Sequence, residues 1–295
     1  MDAIAASSPS ILSNPPLAEA RPFDRDGRKK IIQRIQRTTG KALICYIAQD
    51  ELILPEDTVY TQELLYPLKA GTSVDLLLNT PGGDIDTAEK LVHMIRQVTT
   101  PTDGDIPTGD FRIVVPDKAK SAGTLVALGA NAIVMSDTSE LGPIDPQVRL
   151  PDQNGNQHWH SVFNYIESYE AAAENLRREP ADPVFRMTMA KFDPVLLRKV
   201  EQVRDRARTC AENLLKRHGG NFTLTPSRLM DTERFPSHGQ MIDWETAKLD
   251  LDLNILFLGN KDPLWRLYWE LYCYLRMALA GNRKIFESLQ TSVIL

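Results

Sequence analysis

The sequence has few cysteines and no long uninterrupted apolar segment, and each absence excludes a class of protein. Its three cysteines, Cys45, Cys210 and Cys273, are far apart and lack the spacing of metal ligands. They are therefore expected to be buried, reduced thiols of a cytoplasmic protein, because disulfides and zinc sites need paired cysteines. No window reaches the roughly 18 apolar residues of a membrane-spanning helix. An integral membrane segment is not expected.

An excess of basic residues is also absent. The formal net charge is −5, which argues against a protein devoted to nucleic acid. Residues 1–24 lack the basic and apolar regions of a secretory signal and are interpreted as a flexible arm. The 295 residues, 42% hydrophobic and 25% charged, have an ordinary globular composition with enough material for a substantial core.

Short apolar runs alternate with helical patterns in the first half of the chain, which predicts an α/β fold with a parallel sheet. The runs are apolar throughout, as in strands of a sheet that is covered on both faces. The predicted organisation is an N-terminal arm at 1–24, an α/β core at 25–160, a helical region at 161–220, a return to the core at 221–259 and a C-terminal helical extension at 260–295.

The pair Gly82-Gly83 lies between the apolar run 73–79 and a helical pattern that starts after Asp84. One interpretation is a tight turn, for which glycine supplies a positive φ without steric cost. The other is chemical, because bare N–H groups beside a helix start can bind a negatively charged oxygen. These residues by themselves leave both interpretations open.

Ser121 follows the apolar run 111–116 and precedes a helical pattern of small residues, "AGTLVALGA". A serine at such a place is most often an N-cap. However, small neighbours also allow a substrate to come close. Ser121 and Gly82-Gly83 both follow predicted parallel strands, at whose carboxyl ends open α/β sheets place their ligand sites. Lys118 and Lys120, beside Ser121, are expected to steer charge or to remain solvated.

Four motifs, taken in order, resemble the Clp-protease/crotonase superfold. They are Pro81-Gly82-Gly83, Ser121-Ala122-Gly123-Thr124, "LGPIDPQ" at 141–147 and "SHGQMIDWETAKLDLDL" at 237–253. Within that superfold the chain is most similar to the serine dehydrogenase proteinase family, relatives of signal peptide peptidase A. The likeness spans about residues 28–258. It implies a core of repeated ββα units with an inserted helical region, followed here by a C-terminal helix.

The resemblance further implies a serine peptidase that works through an acyl-enzyme and uses no cofactor or metal. Ser121 matches the family's nucleophile, and the N–H groups of Gly83 and Ala122 match its oxyanion hole. Gly82 and Gly123 are expected to contact the substrate, a protein or peptide. On this interpretation Gly83 lacks a Cβ so that its N–H can face the oxyanion in a crowded cleft.

The general base is where the chain departs from its relatives. Signal-peptide-peptidase-like enzymes use a lysine, and Lys191 is the first lysine after Ser121. Clp-type enzymes use a histidine near the place of Asp145 and an aspartate near the place of His238. A swapped arrangement therefore has His238 as the base and Asp145 as its orienter. Lys191 is the alternative base, and the third possibility is that no competent base is present.

Two functions besides peptidase activity remain open. A crotonase-like acyl-CoA enzyme would share the oxyanion hole but would need no serine nucleophile. A non-catalytic scaffold subunit would keep only the fold.

The pair His158 and His160 has the spacing of metal ligands, but no third ligand is evident. The pair is therefore interpreted as part of the surface, and no metal site is expected.

The segment from Asp262 to Gly281 predicts a helix that is unusually rich in aromatic side chains. The chain's own domain, a membrane surface or another protein could cover it. Aromatic residues are enriched in interface anchors. We therefore expect an oligomer or partner interface there, in line with the homo-oligomers that relatives with this fold form.

Overall fold

The computed structural model describes residues 24–100, 109–151, 154–216, 221–279 and 283–295. The N-terminal arm, apart from residue 24, lies outside the described residues, as does residue 281 at the predicted end of the last helix. The three cysteines are buried and free, as expected from their spacing.

Helices and strands alternate through the first half of the chain. The helices are α1 (Arg25–Thr39), α2 (Asp57–Leu65), α3 (Ile85–Thr99), α4 (Ala122–Leu128), α5 (Val162–Arg178), α6 (Pro183–Met189), α7 (Pro194–Lys216), α8 (Leu224–Leu229) and α9 (Pro263–Ala278), with a π-helical turn at Thr246–Asp250. The strands are β1 (Ala42–Ala48), β2 (Val74–Asn79), β3 (Phe111–Val114), β4 (Lys118–Ala119), β5 (Ala132–Met135), β6 (Glu140–Leu141), β7 (Gln147–Pro151), β8 (Gln157–Ser161), β9 (Ile255–Phe257), β10 (Lys284–Glu287) and β11 (Ser292–Ile294).

The main sheet has the order β11-β10-β1-β2-β3-β5-β9 in the described part of the chain. Strands β1, β2, β3, β5 and β9 are parallel, whereas β10 pairs antiparallel with β1. The predicted α/β fold with a parallel-dominated sheet is therefore confirmed. Every residue of β2 is buried, because helices cover both faces of the sheet.

The two faces of the sheet form separate hydrophobic cores. Because successive strand residues point to opposite faces, β1 contributes Ile44 to one core and Leu43 to the other. Helices α3, α4 and α7 pack on the first face, while α1 and α9 pack on the second. Strands β2 and β3, whose carboxyl ends carry the candidate site, lie between the helices of the two faces.

The C-terminal segment is part of this domain, which corrects the prediction of a partner interface. The apolar face of α9 packs on α1 and the sheet, where Trp265 and Tyr268 are buried. Strands β10 and β11 then extend the sheet beside β1, so the segment is not only helical. The aromatic residues are needed here because the second face of the sheet requires its own covering layer.

Among the described helices, none has the length and apolarity of a membrane span.

A buried carboxyl group, Asp75 of β2, fastens α9 to the sheet. It accepts hydrogen bonds from the Arg112 guanidinium at 2.8 and 2.7 Å and from the Tyr268 hydroxyl at 2.7 Å. Burial, and then the charge of Asp75, raise the pKa of Tyr268, so the hydroxyl stays protonated and donates. Because Asp75 is fully buried, these donors compensate its lost hydration.

We predict that Tyr268→Phe lowers the free energy of unfolding by about 1–3 kcal/mol, since the buried Asp75 loses a donor. Urea unfolding followed by circular dichroism measures this change. Tyr66→Phe is the matched control, because Tyr66 is 81% exposed. Equal stabilities of the two variants would contradict the proposed anchoring role of Tyr268.

Candidate active site

The two loops singled out from the sequence lie side by side at the carboxyl ends of β2 and β3. The N–H of Thr80 donates to the Lys118 carbonyl at 2.9 Å, and the Thr80 carbonyl accepts from the Lys120 N–H at 3.1 Å. The buried amide oxygen of Asn79 accepts from the Lys118 N–H at 3.1 Å. These bonds hold the residues that precede Gly82 against those that precede Ser121.

Ser121 has a strained backbone and a hydroxyl that does not cap the helix. Its φ of 51° and ψ of −115° lie where residues other than glycine are rare. It directly precedes α4, yet its side chain makes no capping hydrogen bond. The N-cap interpretation is therefore not supported. A serine on a strained turn between a strand and a helix has the geometry of a nucleophile elbow, which presents the hydroxyl to a ligand.

Gly82 and Gly123 allow the two loops to pack closely, and their expected contact with substrate stays a prediction. A Cβ on Gly82, whose φ is 112°, would lie 2.8 Å from the Cβ of Ser121 and equally close to the Lys120 carbonyl oxygen. A Cβ on Gly123 would lie 2.6 Å from the methyl group of Thr80. Both glycines are buried, so their missing side chains make room for protein atoms.

Gly83 lacks a Cβ because Ile53 lies against it. A Cβ there would collide with the backbone nitrogen and oxygen of Ile53. The N–H of Ile53 donates to the Gly82 carbonyl at 2.7 Å, and the Ile53 carbonyl accepts from the Asp84 N–H at 3.0 Å. Ile53 is thus bonded to the residues on either side of Gly83. In parallel pairing of this kind the N–H of Gly83 itself points away from Ile53. The close approach of Ile53 is by itself enough to require glycine here, and the expected role of the Gly83 N–H toward an oxyanion stays a prediction.

Ser121 lines a cleft of about 720 Å³ together with Gly83, Asp145 and His238. Apolar side chains, among them Ile53, Leu125, Ile144 and Trp159, form much of the remaining wall. Ala122 is the first residue of α4 and is itself buried. Its N–H belongs to the first turn of the helix, where backbone donors have no intrahelical partner.

The structure brings Asp145 and His238 into contact. The Nδ1 atom of His238 lies 3.2 Å from Oδ2 of Asp145. With its proton on Nδ1, the imidazole donates to the carboxylate and keeps the Nε2 lone pair available. The other Asp145 oxygen, Oδ1, accepts a hydrogen bond from the Ser161 hydroxyl at 2.5 Å. Sequence reasoning missed Ser161, whose only signal was a serine directly before the helical pattern that starts at 162.

Lys120 holds the loop that carries His238. Its Nζ donates to the carbonyls of Gly239 and Gln240 at 3.1 and 3.2 Å and pairs with Glu140 at 3.0 Å. Lys120 is nearly fully buried, which corrects the expectation that it is solvated. Lys120, which directly precedes Ser121, thus holds in place Gly239 and Gln240, which directly follow His238.

The lysine proposed as the alternative base lies elsewhere. Lys191 is exposed in the turn after α6, and a different lysine, Lys199 of α7, lines the cleft. Sequence reasoning missed Lys199, although Lys199, Gln202, Val203 and Arg206 share one helical face and all line the cleft. This face is held over the cleft by Arg206, which pairs with Asp86 and Glu89 of α3 at 2.6 and 2.5 Å.

His158 and His160 lie on the exposed strand β8. Among the residues that the structure describes, no group of three potential ligands is arranged for a metal ion.

We predict that Gly83→Ala destabilises the fold by more than about 2 kcal/mol, because the methyl group forces the Ile53 segment away. Gly155→Ala is the control, since Gly155 also has a positive φ, 84°, but open space where its Cβ would lie. Thermal and urea unfolding compare the two variants. A Gly83→Ala protein no less stable than Gly155→Ala would show that the close approach of Ile53 is not restrictive.

Comparison with known proteins relates this chain to a family of serine proteinases. Residues 23–155 match the family model for the ClpP-like SDH-type serine proteinase. Two curated relatives are uncharacterized proteins of Methanocaldococcus jannaschii. MJ0137 is 26% identical over 243 residues, or 77% of this chain and 74% of its own length. MJ1495 is 26% identical over 132 residues, or 41% of this chain and 42% of its own length.

Solved structures with distant similarity include two variants of the 1510-N membrane-bound stomatin-specific protease. A serine-to-alanine variant is 15% identical with a TM-score of 0.44, covering 82% of this chain and 87% of that one. A lysine-to-alanine variant in complex with a substrate peptide is 17% identical with a TM-score of 0.41, covering 76% and 77%. The family match includes Gly83, Ser121 and Asp145. Over residues 23–155 the chain is therefore similar to the ClpP-like SDH-type serine proteinases.

Proposed function

We propose that this chain hydrolyses peptide bonds through an acyl-enzyme on Ser121, with His238 as the general base and Asp145 as its orienter. The observation that carries the proposal is the contact between His238 Nδ1 and Asp145, in the wall of the cleft that Ser121 lines. Support also comes from the family, which is one of serine proteinases. The assignment of the base is our own, because His238 lies outside the matched residues.

The first step joins Ser121 to the substrate. The Ser121 oxygen attacks the carbonyl carbon of the scissile bond while its proton passes to Nε2 of His238. Asp145 holds the imidazole in the tautomer that has Nε2 free, and it stabilises the imidazolium that forms. The imidazolium then gives its proton to the leaving amine. Water, activated by the same imidazole, releases the acyl group and restores Ser121.

The oxyanion of the tetrahedral intermediate would be held by backbone donors. The Gly83 N–H points away from Ile53, and Gly83 lines the cleft. The Ala122 N–H follows the nucleophile at the start of α4. Each such donor stabilises a transition state by about 3–4 kcal/mol in known enzymes. The reaction requires no cofactor, because protein groups supply the nucleophile, the base and the oxyanion donors.

The substrate that fits this site is a protein or peptide. The apolar wall formed by Ile53, Leu125, Ile144 and Trp159 would accommodate apolar side chains of an extended segment. A homo-oligomer and a cytoplasmic location remain predictions from the sequence.

A fluorophosphonate probe tests the peptidase proposal without knowledge of the substrate, because it labels only an activated serine. We predict that the wild-type protein is labelled at Ser121 and that Ser121→Ala is folded but unlabelled, as mapped by mass spectrometry. A crotonase-like acyl-CoA enzyme or a scaffold subunit would leave Ser121 unlabelled. That result would exclude the proposed mechanism.

The same probe identifies the base. We predict that His238→Ala lowers the labelling rate at least 100-fold, the usual scale for loss of a general base. His93→Ala is the control, because His93 is exposed on α3. Lys191→Met should also be without effect. A lysine base would instead be indicated if Lys199→Met abolished labelling while His238→Ala had little effect.

A further inference from the structure

Ser161 stands between strand and helix with its hydroxyl directed at the catalytic candidates. The hydroxyl donates to Asp145 Oδ1 at 2.5 Å, a length typical of a hydroxyl bound to a carboxylate. It also accepts a much longer hydrogen bond, 3.4 Å, from the Asn164 N–H at the start of α5. A serine hydroxyl has one hydrogen, and here that hydrogen is committed to Asp145.

Backbone pairing determines this contact. In the hairpin of β7 and β8, Gln147 pairs with Ser161. The N–H of Val162 donates to the Pro146 carbonyl at 2.9 Å, which continues the pairing beyond the hairpin. Asp145 and Ser161 therefore lie at the same end of the hairpin by register. The Asp145 carboxylate is held there between Ser161 on one oxygen and His238 on the other.

We propose that Ser161 is a positioning residue that fixes the Asp145 carboxylate so that its free oxygen faces His238 Nδ1. The inference rests on the proposed function, since it assigns Asp145 as the orienter of the base. A carboxylate bound only by His238 can rotate about its terminal torsion, which is broad and roughly two-fold. The second bond removes that freedom and thereby keeps the imidazole in one orientation.

Ser161 acts from outside the substrate cleft. Together with Asp145 and His238 it lines a second cleft, of about 580 Å³, that adjoins the first. Ser121 lines the first cleft, and Asp145 and His238 line both. Loss of the Ser161 hydroxyl should therefore slow the chemical step without weakening the binding of substrate.

The test compares rates of fluorophosphonate labelling at Ser121 in the full-length protein. Ser161→Ala is expected to lower the rate about tenfold, the usual effect of losing one hydrogen bond to a charged group. Ser161→Thr, which keeps a hydroxyl, should restore most of the rate. Ser168→Ala is the matched control, because Ser168 is an exposed serine of α5 that lines the same second cleft.

A purely structural role as a helix cap makes a different prediction. Glycine is tolerated at an N-cap position, whereas alanine is not. Ser161→Gly should thus be as slow as Ser161→Ala if the bond to Asp145 matters, and close to the wild type if only the cap matters. For any peptide that the protein cleaves, Ser161→Ala should lower kcat and leave KM unchanged.

A double-mutant cycle with Asp145→Ala, which removes the acceptor, isolates the interaction. Once Asp145 is replaced, Ser161→Ala should have no further effect on the labelling rate. Losses that multiply would overturn the positioning role, as would a Ser161→Ala protein that labels like the wild type. The proposed function fails separately, if wild-type Ser121 is unreactive or if His238→Ala labels at the wild-type rate.

Discussion

The close contact between Gly82 and Ser121 is the constraint on which the site depends. Parallel strands β2 and β3 end at the same edge of the sheet, so the loops that follow them must pack into the same small space. A Cβ on Gly82 would lie 2.8 Å from the Ser121 Cβ, and only glycine relieves that conflict. The strained φ of Ser121, 51°, persists because the bonds of Thr80 and the packing of Gly82 over-determine the turn.

The remaining candidate residues reach this edge from distant parts of the chain. Asp145 lies just before strand β7 and Ser161 ends strand β8, both at the open end of the hairpin, and His238 comes from a loop that follows the helical region. The Lys120 ammonium joins that loop to the residue before Ser121 by binding the carbonyls of Gly239 and Gln240. A buried ammonium needs several partners, so the connection between the loops of Ser121 and His238 is also required for stability.

Sequence patterns predicted the sheet and the two loops because those features are local. All-apolar runs identify buried strands, and a glycine or serine at a strand end is visible without the fold. The proximity of Asp145 and His238 was inferred through a resemblance, and the structure places them 3.2 Å apart. Ser161 and Lys199 were missed because hairpin register and helix packing bring them to the site. For α9, amphipathicity predicted a buried face but could not tell that the chain's own sheet covers it.

The proposed exchange of histidine and aspartate between two loops is physically reasonable, because a contact between Nδ1 and a carboxylate has the same length whichever loop carries each group. The exchange changes only the surroundings of the histidine and of the aspartate. The Asp145 side chain is 14% exposed and that of His238 36%, so the carboxylate occupies the more enclosed position. An enclosed carboxylate needs donors on both oxygens to compensate its lost hydration. His238 satisfies one oxygen, and the hydroxyl of Ser161 supplies the donor that the other one requires.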